Sequence, residues 1–222
     1  MKAMILAAGR GERMRPLTDK TPKPLLEVGG IALIKWHLER LACSEFNEIV
    51  INIAHLGWQI PQALGDGSQW GVKITYSDEQ EEGALESAGG IVKALPLLGD
   101  ETFLVLNGDI WTDYVFQPDK KLHKDILAHL ILVPNPQHNP EGDFTLRDGF
   151  VVDAKAYTFS GIGYYAPELF KDVAYGKNAL APLLRAAMRE GKVTGEIYER
   201  KWYDIGTPNR LADLNAQLTN RS

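Results

Sequence analysis

Short apolar runs and segments of helical spacing alternate along the first half of the chain. The apolar runs are dense in aliphatic and β-branched residues, and they predict buried strands at 4–8, 49–53, 72–76 and 103–106. Between the strands, helical spacing predicts helices at 33–41, 58–64 and 87–95, the last ending before Pro96. This alternation predicts right-handed crossovers and a largely parallel sheet with helices on both faces.

The second half of the chain has a less regular pattern. Its apolar and Gly-bearing segments predict a strand at 127–133, a hairpin at 143–152 and a strand at 160–165. Helices are predicted at 180–188 and 208–218. Because no repeat, low-complexity tract or linker interrupts the sequence, residues 1–222 are predicted to form one α/β domain. Its expected fold is a Rossmann-like mixed, mostly parallel sheet flanked by helices.

The composition and net charge of the chain disfavour several classes of protein. The 222 residues are 45% hydrophobic, which is enough for one well-buried core. A net charge of −5 disfavours binding to nucleic acid or to a membrane surface through bulk charge. No apolar run approaches the roughly 20 residues of a spanning helix and no signal-peptide pattern opens the sequence, so a cytoplasmic protein is expected. The single cysteine, Cys43, excludes an internal disulfide and is predicted to be buried in a helix.

A loop rich in Gly, Arg, Lys and Pro follows the first predicted strand. Gly9 and Gly11, with one residue between them, let backbone N–H groups turn toward a phosphate chain. Arg13, Arg15 and Lys23 add cations that neutralise phosphate oxygens. Lys23 stands between two prolines that restrict its backbone, which favours a defined phosphate site over a surface loop with scattered charges.

Two better-known phosphate motifs do not fit this loop. The Rossmann fingerprint requires a third glycine where the chain has Met14, which disfavours a dinucleotide-dependent oxidoreductase. The Walker A motif requires a Gly-Lys-Ser/Thr tripeptide that the loop lacks. The combination Gly-x-Gly-x-Arg followed by Pro-Lys-Pro is more specific than a pair of glycines alone.

With two later motifs, the loop resembles the signature of the sugar-1-phosphate nucleotidyltransferases. The later motifs are Asn107-Gly108-Asp109, after the fourth strand, and Trp202 to Pro208 near the end of the sequence. The resemblance covers nearly the whole chain and implies the nucleotide-diphospho-sugar transferase fold. It also implies a nucleotide-binding half at about 1–110 and a sugar-binding half at about 111–222. The implied reaction joins a nucleoside triphosphate to a sugar 1-phosphate and releases pyrophosphate.

Within this family, the chain is most similar to the short uridylyltransferases of bacterial cell-wall recycling. That similarity implies UTP and N-acetylmuramate 1-phosphate as substrates. Similar short enzymes use GTP and mannose 1-phosphate or another hexose 1-phosphate, and the sequence leaves these alternatives open. A non-catalytic regulatory subunit that binds a nucleotide sugar is a further alternative. It is disfavoured because Arg13, Lys23, Asp109 and Asp204 are all present. The sequence does not indicate an oligomeric state.

Two aspartates are the predicted Mg²⁺ ligands. Asp109 follows a predicted strand, and ligands of open α/β sheets gather at the carboxyl ends of the strands. A carboxylate at that edge can hold Mg²⁺ beside phosphates, or it can simply end the strand and cap a helix. The family resemblance places a second metal-binding carboxylate at Asp204.

The resemblance also implies roles for the loop cations and for the two substrate pockets. Lys23 is implied to contact the α-phosphate and the sugar phosphate, and Arg13 to hold the leaving pyrophosphate. The implied nucleotide-binding residues are Leu6, Ala8, Gly9, Gly11, Arg13, Glu79 and Gly89. The implied sugar-phosphate-binding residues are Lys23, Asn107, Gly142, Ser160 and Gly161.

The chain departs from the family pattern at two places. Glu86 stands where the family has a glycine beside the base, and Gly89 is predicted to let a flat base lie against the backbone. The Glu-Lys pair whose lysine binds the sugar phosphate in many members is missing, and the stretch contains Lys155 instead. The five histidines have no metal-ligand spacing and receive no predicted role.

Overall fold

The structure is a computed structural model that describes residues 1–219. Its strands are β1 (Ala3–Leu6), β2 (Glu27–Val28), β3 (Ile31–Ala32), β4 (Glu48–Ile53), β5 (Lys73–Asp78), β6 (Phe103–Asn107), β7 (Ile110–Thr112), β8 (Ala128–Val133), β9 (Phe144–Arg147), β10 (Phe150–Tyr165), β11 (Val193–Ile197) and β12 (Trp202–Asp204). Its α-helices are α1 (Leu33–Cys43), α2 (Gln59–Leu64), α3 (Glu86–Leu98), α4 (Leu180–Arg189) and α5 (Pro208–Thr219). Residues 220–222 of the predicted domain lie outside the described residues.

Within the described residues, eight strands form the main sheet. Seven lie in the order β11-β8-β10-β6-β1-β4-β5, and β9 pairs with β10. The pairs β6–β1, β1–β4 and β4–β5 are parallel, which confirms the prediction for the first half. Strands from both halves of the sequence share this sheet, and this continuity supports our proposal that the chain is one domain.

The central strand β1 is buried on both faces of the sheet. Met4 packs into an apolar cluster with Ile91 of α3, whereas Ile5 packs into a second cluster with Leu38 of α1. All four side chains are fully buried. Burial on both faces explains why this strand is a continuous apolar run instead of an alternating one.

Strand β10 is longer than the sequence pattern predicts. The turn at Asp148-Gly149 is confirmed, with both residues at positive φ. The predicted hairpin strand and the predicted strand 160–165 are, however, one continuous strand, Phe150–Tyr165. Its register against β8 shifts between Phe159 and Ile162. This irregularity accommodates Ser160-Gly161, so the strand continues through these two residues without a break.

Three further predictions need correction. Helix α3 continues past Pro96 and ends before Gly99, which has a φ of 88°. A proline in the last turn removes one hydrogen bond, but the helix ends where a glycine adopts a positive φ that other residues disfavour. Cys43 is exposed because it is the last residue of α1. The short strands β2, β3, β7, β11 and β12 were not predicted.

Over residues 1–219, no helix is both long enough and apolar enough to cross a membrane.

Candidate active site

The carboxyl ends of three parallel strands form the floor of the site. In the register of the sheet, Leu6 lies beside Asn52 on one side and beside Asn107 on the other. The Gly108 N–H donates to the Leu6 carbonyl over 2.8 Å, and a Cβ at Gly108 would lie 2.6 Å from that oxygen. The glycine of the Asn-Gly-Asp motif therefore permits this close approach, which puts Asp109 at the end of the first strand.

The predicted phosphate loop, residues 9–24, is fixed by its second glycine, Gly11. Gly11 has a φ of 64°, and a Cβ there would lie 2.8 Å from the Thr18 side chain. The Thr18 hydroxyl donates to the Gly11 carbonyl over 2.8 Å. Met14 is fully buried in the short 3-10 helix that follows, whereas Arg13 is exposed. One cavity, named the phosphate-loop cavity, is lined by Gly9, Gly11, Glu12, Arg13, Met14, Lys23, Asp109 and Gly206.

The structure brings Lys23 and Asp109 into direct contact. The Lys23 Nζ donates to Asp109 Oδ2 over 2.7 Å, and the Lys23 residue is only 8% exposed. Both residues line the phosphate-loop cavity and a neighbouring cavity, named the nucleotide-side cavity after the predicted nucleotide-binding half of the chain. The nucleotide-side cavity is lined by Leu6, Ala7, Ala8, Gly9, Lys23, Pro24, Asn52, Glu79, Ala84, Glu86, Ser87, Asn107, Gly108 and Asp109. The predicted defined position of the lysine is thus confirmed, because its backbone forms a 3-10 turn that is buried at Lys23 and Pro24.

Asp204 reaches the site through the small antiparallel pair β12–β7. In that pair, Asp204 lies opposite Ile110, and the Ile205 N–H donates to the Asp109 carbonyl over 2.9 Å. The two aspartates are therefore neighbours across a strand pair. Both line a third cavity, named the sugar-side cavity after the predicted sugar-binding half of the chain. Asp204 Oδ2 lies 2.9 Å from Arg210 Nη1 and 3.0 Å from His138 Nε2.

The two aspartates have the chemistry of a small Mg²⁺ site. Within residues 1–219, no group of three or more His, Cys, Asp or Glu side chains is arranged to hold a metal. Mg²⁺, however, is commonly held by one or two carboxylates together with substrate phosphates. Both Asp109 and Asp204 are bonded to cations through Oδ2, and the described residues give neither Oδ1 a hydrogen bond. Two such carboxylates that line one cavity fit a hard cation.

Glu79 and Asn52 connect the phosphate loop to the loop before α3. The Ala7 N–H donates to Asn52 Oδ1 over 2.7 Å, and Asn52 Nδ2 donates to Glu79 Oε1 over 2.8 Å. Glu79 Oε2 accepts from the Leu85 N–H over 2.9 Å. Glu79 is fully buried, and this burial raises the pKa of its carboxyl group. Both of its oxygens are thus used within the protein, so Glu79 shapes the pocket by holding its two walls.

Glu86 and Gly89 occupy different surroundings at the start of α3. Glu86 lines the nucleotide-side cavity with Ala84 and Ser87, and its φ of 62° is one that glycine adopts readily. Gly89 lies instead under the loop that contains Gly176, and a Cβ there would overlap the Gly176 carbonyl. The reason given above for Gly89 is therefore wrong: this glycine accommodates a neighbouring loop of the protein.

Ser160 and Gly161 place Asn107 between the nucleotide-side and the sugar-side cavity. Gly161 has a φ of 80°, and a Cβ there would lie 2.5 Å from Asn107 Nδ2. The Ser160 hydroxyl donates to the Ile131 carbonyl over 2.6 Å, and its own carbonyl accepts from Trp202 Nε1 over 2.9 Å. Ser160 is thus held by the sheet, and Asn107 lines both the nucleotide-side and the sugar-side cavity.

A polar network forms the far wall of the sugar-side cavity. Asn139 Nδ2 donates to Asp143 Oδ1 and to Thr158 Oγ1, over 3.2 and 3.1 Å. The predicted Gly142 supports the turn before Asp143; its φ is 75°, and a Cβ would lie 2.8 Å from the Tyr157 backbone. The cavity is lined by Arg13, Asn107, Asp109, Ile110, His138, Asn139, Asp143, Thr158, Phe159, Ser160, Trp202 and Asp204. Lys155 is exposed and paired with Glu141.

Several residues of the site carry no signal in the sequence pattern. Asn52 is the second-last residue of β4 and Asn107 is the last residue of β6, and both lie beside Leu6 in the sheet; that shared position could have marked Asn52. His138 meets Asp204 only through the tertiary fold, whereas Arg210 lies six residues after Asp204 in the sequence. Spacing along the chain could not have indicated the His138 contact.

We expect Gly161→Ala to lower activity by displacing Asn107. Residue 161 has a positive φ, and a Cβ there would lie 2.5 Å from the Asn107 amide nitrogen. The loss of activity therefore combines backbone strain with movement of a site residue. The matched control is Gly149→Ala, because Gly149 has a φ of 83° but no atom within 4 Å of its Cβ. Both variants should lose about 1 kcal/mol or more of unfolding free energy. Only Gly161→Ala should lower the rate of the reaction that the sequence resemblance implies, by raising the KM for the implied sugar phosphate, and equal kinetics in the two variants would contradict the role of Asn107.

The comparisons with known proteins identify the family. The sequence model described as nucleotidyl transferase matches residues 2–143, and the chain belongs to this family. It is 55% identical to the N-acetylmuramate alpha-1-phosphate uridylyltransferase of Neisseria meningitidis serogroup B, over 97% of each chain. It is 32% identical to the protein of the same name in Caulobacter vibrioides, over 97% of this chain and 96% of that one. These relatives confirm the resemblance that the sequence motifs indicate.

Another relative and a solved structure have less sequence identity to this chain. A mannose-1-phosphate guanylyltransferase of Mycobacterium tuberculosis is 30% identical over 97% of this chain and 64% of its own length. The solved structure of the inositol-1-phosphate CTP transferase from T. maritima superimposes with a TM-score of 0.75 at 18% identity, covering 98% of this chain and 96% of that one. The predicted α/β fold is therefore confirmed.

Proposed function

We propose that this protein transfers the uridylyl group of UTP to N-acetylmuramate 1-phosphate, giving UDP-N-acetylmuramate and pyrophosphate. The observation that carries the reaction type is the Lys23–Asp109 contact of 2.7 Å at the junction of the phosphate-loop and nucleotide-side cavities. The choice of substrates is supported by 55% identity, over 97% of both chains, to the Neisseria meningitidis uridylyltransferase. A cytoplasmic location is part of this proposal, because UTP is a cytoplasmic substrate.

The reaction is an in-line displacement at the α-phosphorus. An oxygen of the sugar phosphate forms a bond to the α-phosphorus, and the bond between the α-phosphorus and the bridging oxygen to the β-phosphate breaks. Pyrophosphate leaves with the electron pair of that bond. Such chemistry asks the protein mainly for positioning and charge stabilisation, and it needs no Ser or Cys nucleophile.

Lys23 and Arg13 supply the charge stabilisation in this proposal. Lys23 lines the nucleotide-side and the phosphate-loop cavity, and in this proposal it exchanges its bond with Asp109 for contacts with the α-phosphate and the sugar phosphate. Arg13 is exposed and lines both the phosphate-loop and the sugar-side cavity, where it can hold the leaving pyrophosphate. The backbone N–H groups around Gly9 and Gly11 bind the remaining phosphate oxygens.

Mg²⁺ is the proposed cofactor. Asp109 and Asp204 would hold it through their Oδ1 atoms, and the ion would neutralise charge on the phosphates of the nucleotide. In the same proposal, Leu6, Ala8 and the loop ending at Glu86 surround the base. Asn107, together with the wall that contains Asp143, faces the sugar.

The test is a grid of pyrophosphate-release assays with four nucleoside triphosphates, several sugar 1-phosphates and Mg²⁺. The proposal expects the highest kcat/KM for UTP with N-acetylmuramate 1-phosphate. Greater turnover of GTP with mannose 1-phosphate would keep the mechanism and replace the substrates, in line with the Mycobacterium tuberculosis relative. Absence of turnover across the grid with folded protein would favour the non-catalytic binding subunit.

A further inference from the structure

The carboxylate of Asp204 is held on one side by two basic side chains from different parts of the chain. Arg210 Nη1 and His138 Nε2 both contact Asp204 Oδ2, over 2.9 and 3.0 Å. Arg210 comes from the first turn of α5, whereas His138 comes from the loop between β8 and β9. All three side chains are partly buried, with 21 to 35% of their surface exposed. Such a carboxylate has little freedom to rotate.

The remaining oxygen of Asp204 lies beside a glycine that lines the phosphate-loop cavity. Asp204 Oδ1 is close to Gly206, at 2.9 Å from the position that a Cβ would take there. Gly206 itself lines that cavity with Lys23 and Asp109. A Cβ at Gly206 would also overlap the guanidinium of Arg210, so this glycine permits the Asp204–Arg210 contact.

Arg210 is in turn fixed by its own neighbour. Its Nε lies 3.3 Å from Thr207 Oγ1, and its backbone N–H reaches the same hydroxyl at 3.4 Å. Thr207 therefore caps the start of α5 and orients the guanidinium in one short segment. Thr207, Arg210 and Asp204 are thus connected by consecutive hydrogen bonds, and Asp204 carries the oxygen proposed to bind the metal.

We infer that Arg210 and His138 are positioning residues that hold Asp204 so that its Oδ1 binds the metal. The inference rests on the proposed function, since it concerns the Mg²⁺ site of that reaction. Hydrogen-bond partners of metal-binding carboxylates fix the ligand geometry, and their loss typically weakens metal binding or activity by 10- to 100-fold. Neither residue needs to touch a substrate for this role.

The decisive experiment measures Mn²⁺ binding by electron paramagnetic resonance, with and without UTP. Arg210→Met should weaken Mn²⁺ binding by about 10-fold, and Arg210→Lys should fall between Arg210→Met and the wild type. The matched control is Arg185→Met, which removes a similar arginine–aspartate pair, with Asp153 at 3.0 Å, outside the site. Arg185→Met should bind Mn²⁺ as the wild type does.

The kinetic readout separates positioning from a structural defect. For Arg210→Met, kcat measured at saturating Mg²⁺ should recover to within a few-fold of the wild type. His138→Gln keeps a donor and should bind Mn²⁺ more tightly than His138→Ala. Unchanged Mn²⁺ binding in Arg210→Met, or a loss of kcat that saturating metal does not restore, would overturn the inference. A wild-type protein that binds no Mn²⁺ with UTP would instead overturn the metal assignment in the proposed function, and the inference with it.

Discussion

Lys23→Ala is expected to lower kcat/KM by about 10²- to 10³-fold, the loss typical of one removed group that stabilises transition-state charge. The lysine is almost buried, and its Nζ lies 2.7 Å from Asp109 at the junction of two cavities. An ammonium group held at that point can follow the charge that develops on the α-phosphate, and a methyl group cannot. Steady-state kinetics with UTP and N-acetylmuramate 1-phosphate measure the effect, and circular dichroism verifies the fold.

The matched control for this prediction is Lys155→Ala. Lys155 stands in the segment where many family members have the lysine of a Glu-Lys pair, but it is exposed and bonded to Glu141. Its replacement should change kcat/KM by less than about two-fold, because exposed ion pairs contribute little. A large loss in Lys155→Ala would mean that this lysine reaches the sugar phosphate during turnover. Near-normal turnover in Lys23→Ala would remove Lys23 from the mechanism.

The fold of the first half could be predicted because its signals are local. Met4 and Ile5 belong to one apolar run, and the helices that cover them have clear spacing, so the sheet and its faces follow from the pattern. The strands β7 and β12 could not be predicted in the same way. Each has three residues, which is too short for a period, and they form only through pairing with each other.

Sequence motifs mark residues that the structure brings together, whereas contacts formed only by the tertiary fold leave no mark in the sequence. Lys23 and Asp109 stand in recognisable motifs, and the structure brings them together. Gly89 was misinterpreted because its neighbour, the Gly176 carbonyl, comes from a distant loop. His138 was given no role because its contact with Asp204 depends on the loop between β8 and β9. In each case, the missing information was a contact between residues far apart in the sequence.

Asp109→Asn is expected to lower activity by at least 10²-fold and to weaken the dependence on Mg²⁺ at the same time. The amide loses the negative charge that attracts the metal, and it also removes the ionic partner of Lys23. Two consequences therefore coincide: metal affinity falls, and Lys23 is no longer held at the junction of the cavities. Mg²⁺ titration of initial rates measures the first consequence, and the KM for UTP reports on the second.

The partner of this variant is Asp113→Asn. Asp113 also lies near β7, but its carboxylate accepts from Tyr198 and from the Lys201 N–H, and these contacts hold its pKa below the usual value. It lies outside the residues that line the three cavities described above. Asp113→Asn should lose stability with little change in the Mg²⁺ titration. Asp109→Asn, in contrast, should change the Mg²⁺ titration. An unchanged titration in Asp109→Asn would show that this carboxylate serves only to hold Lys23, and the metal would then depend on Asp204 and the phosphates alone.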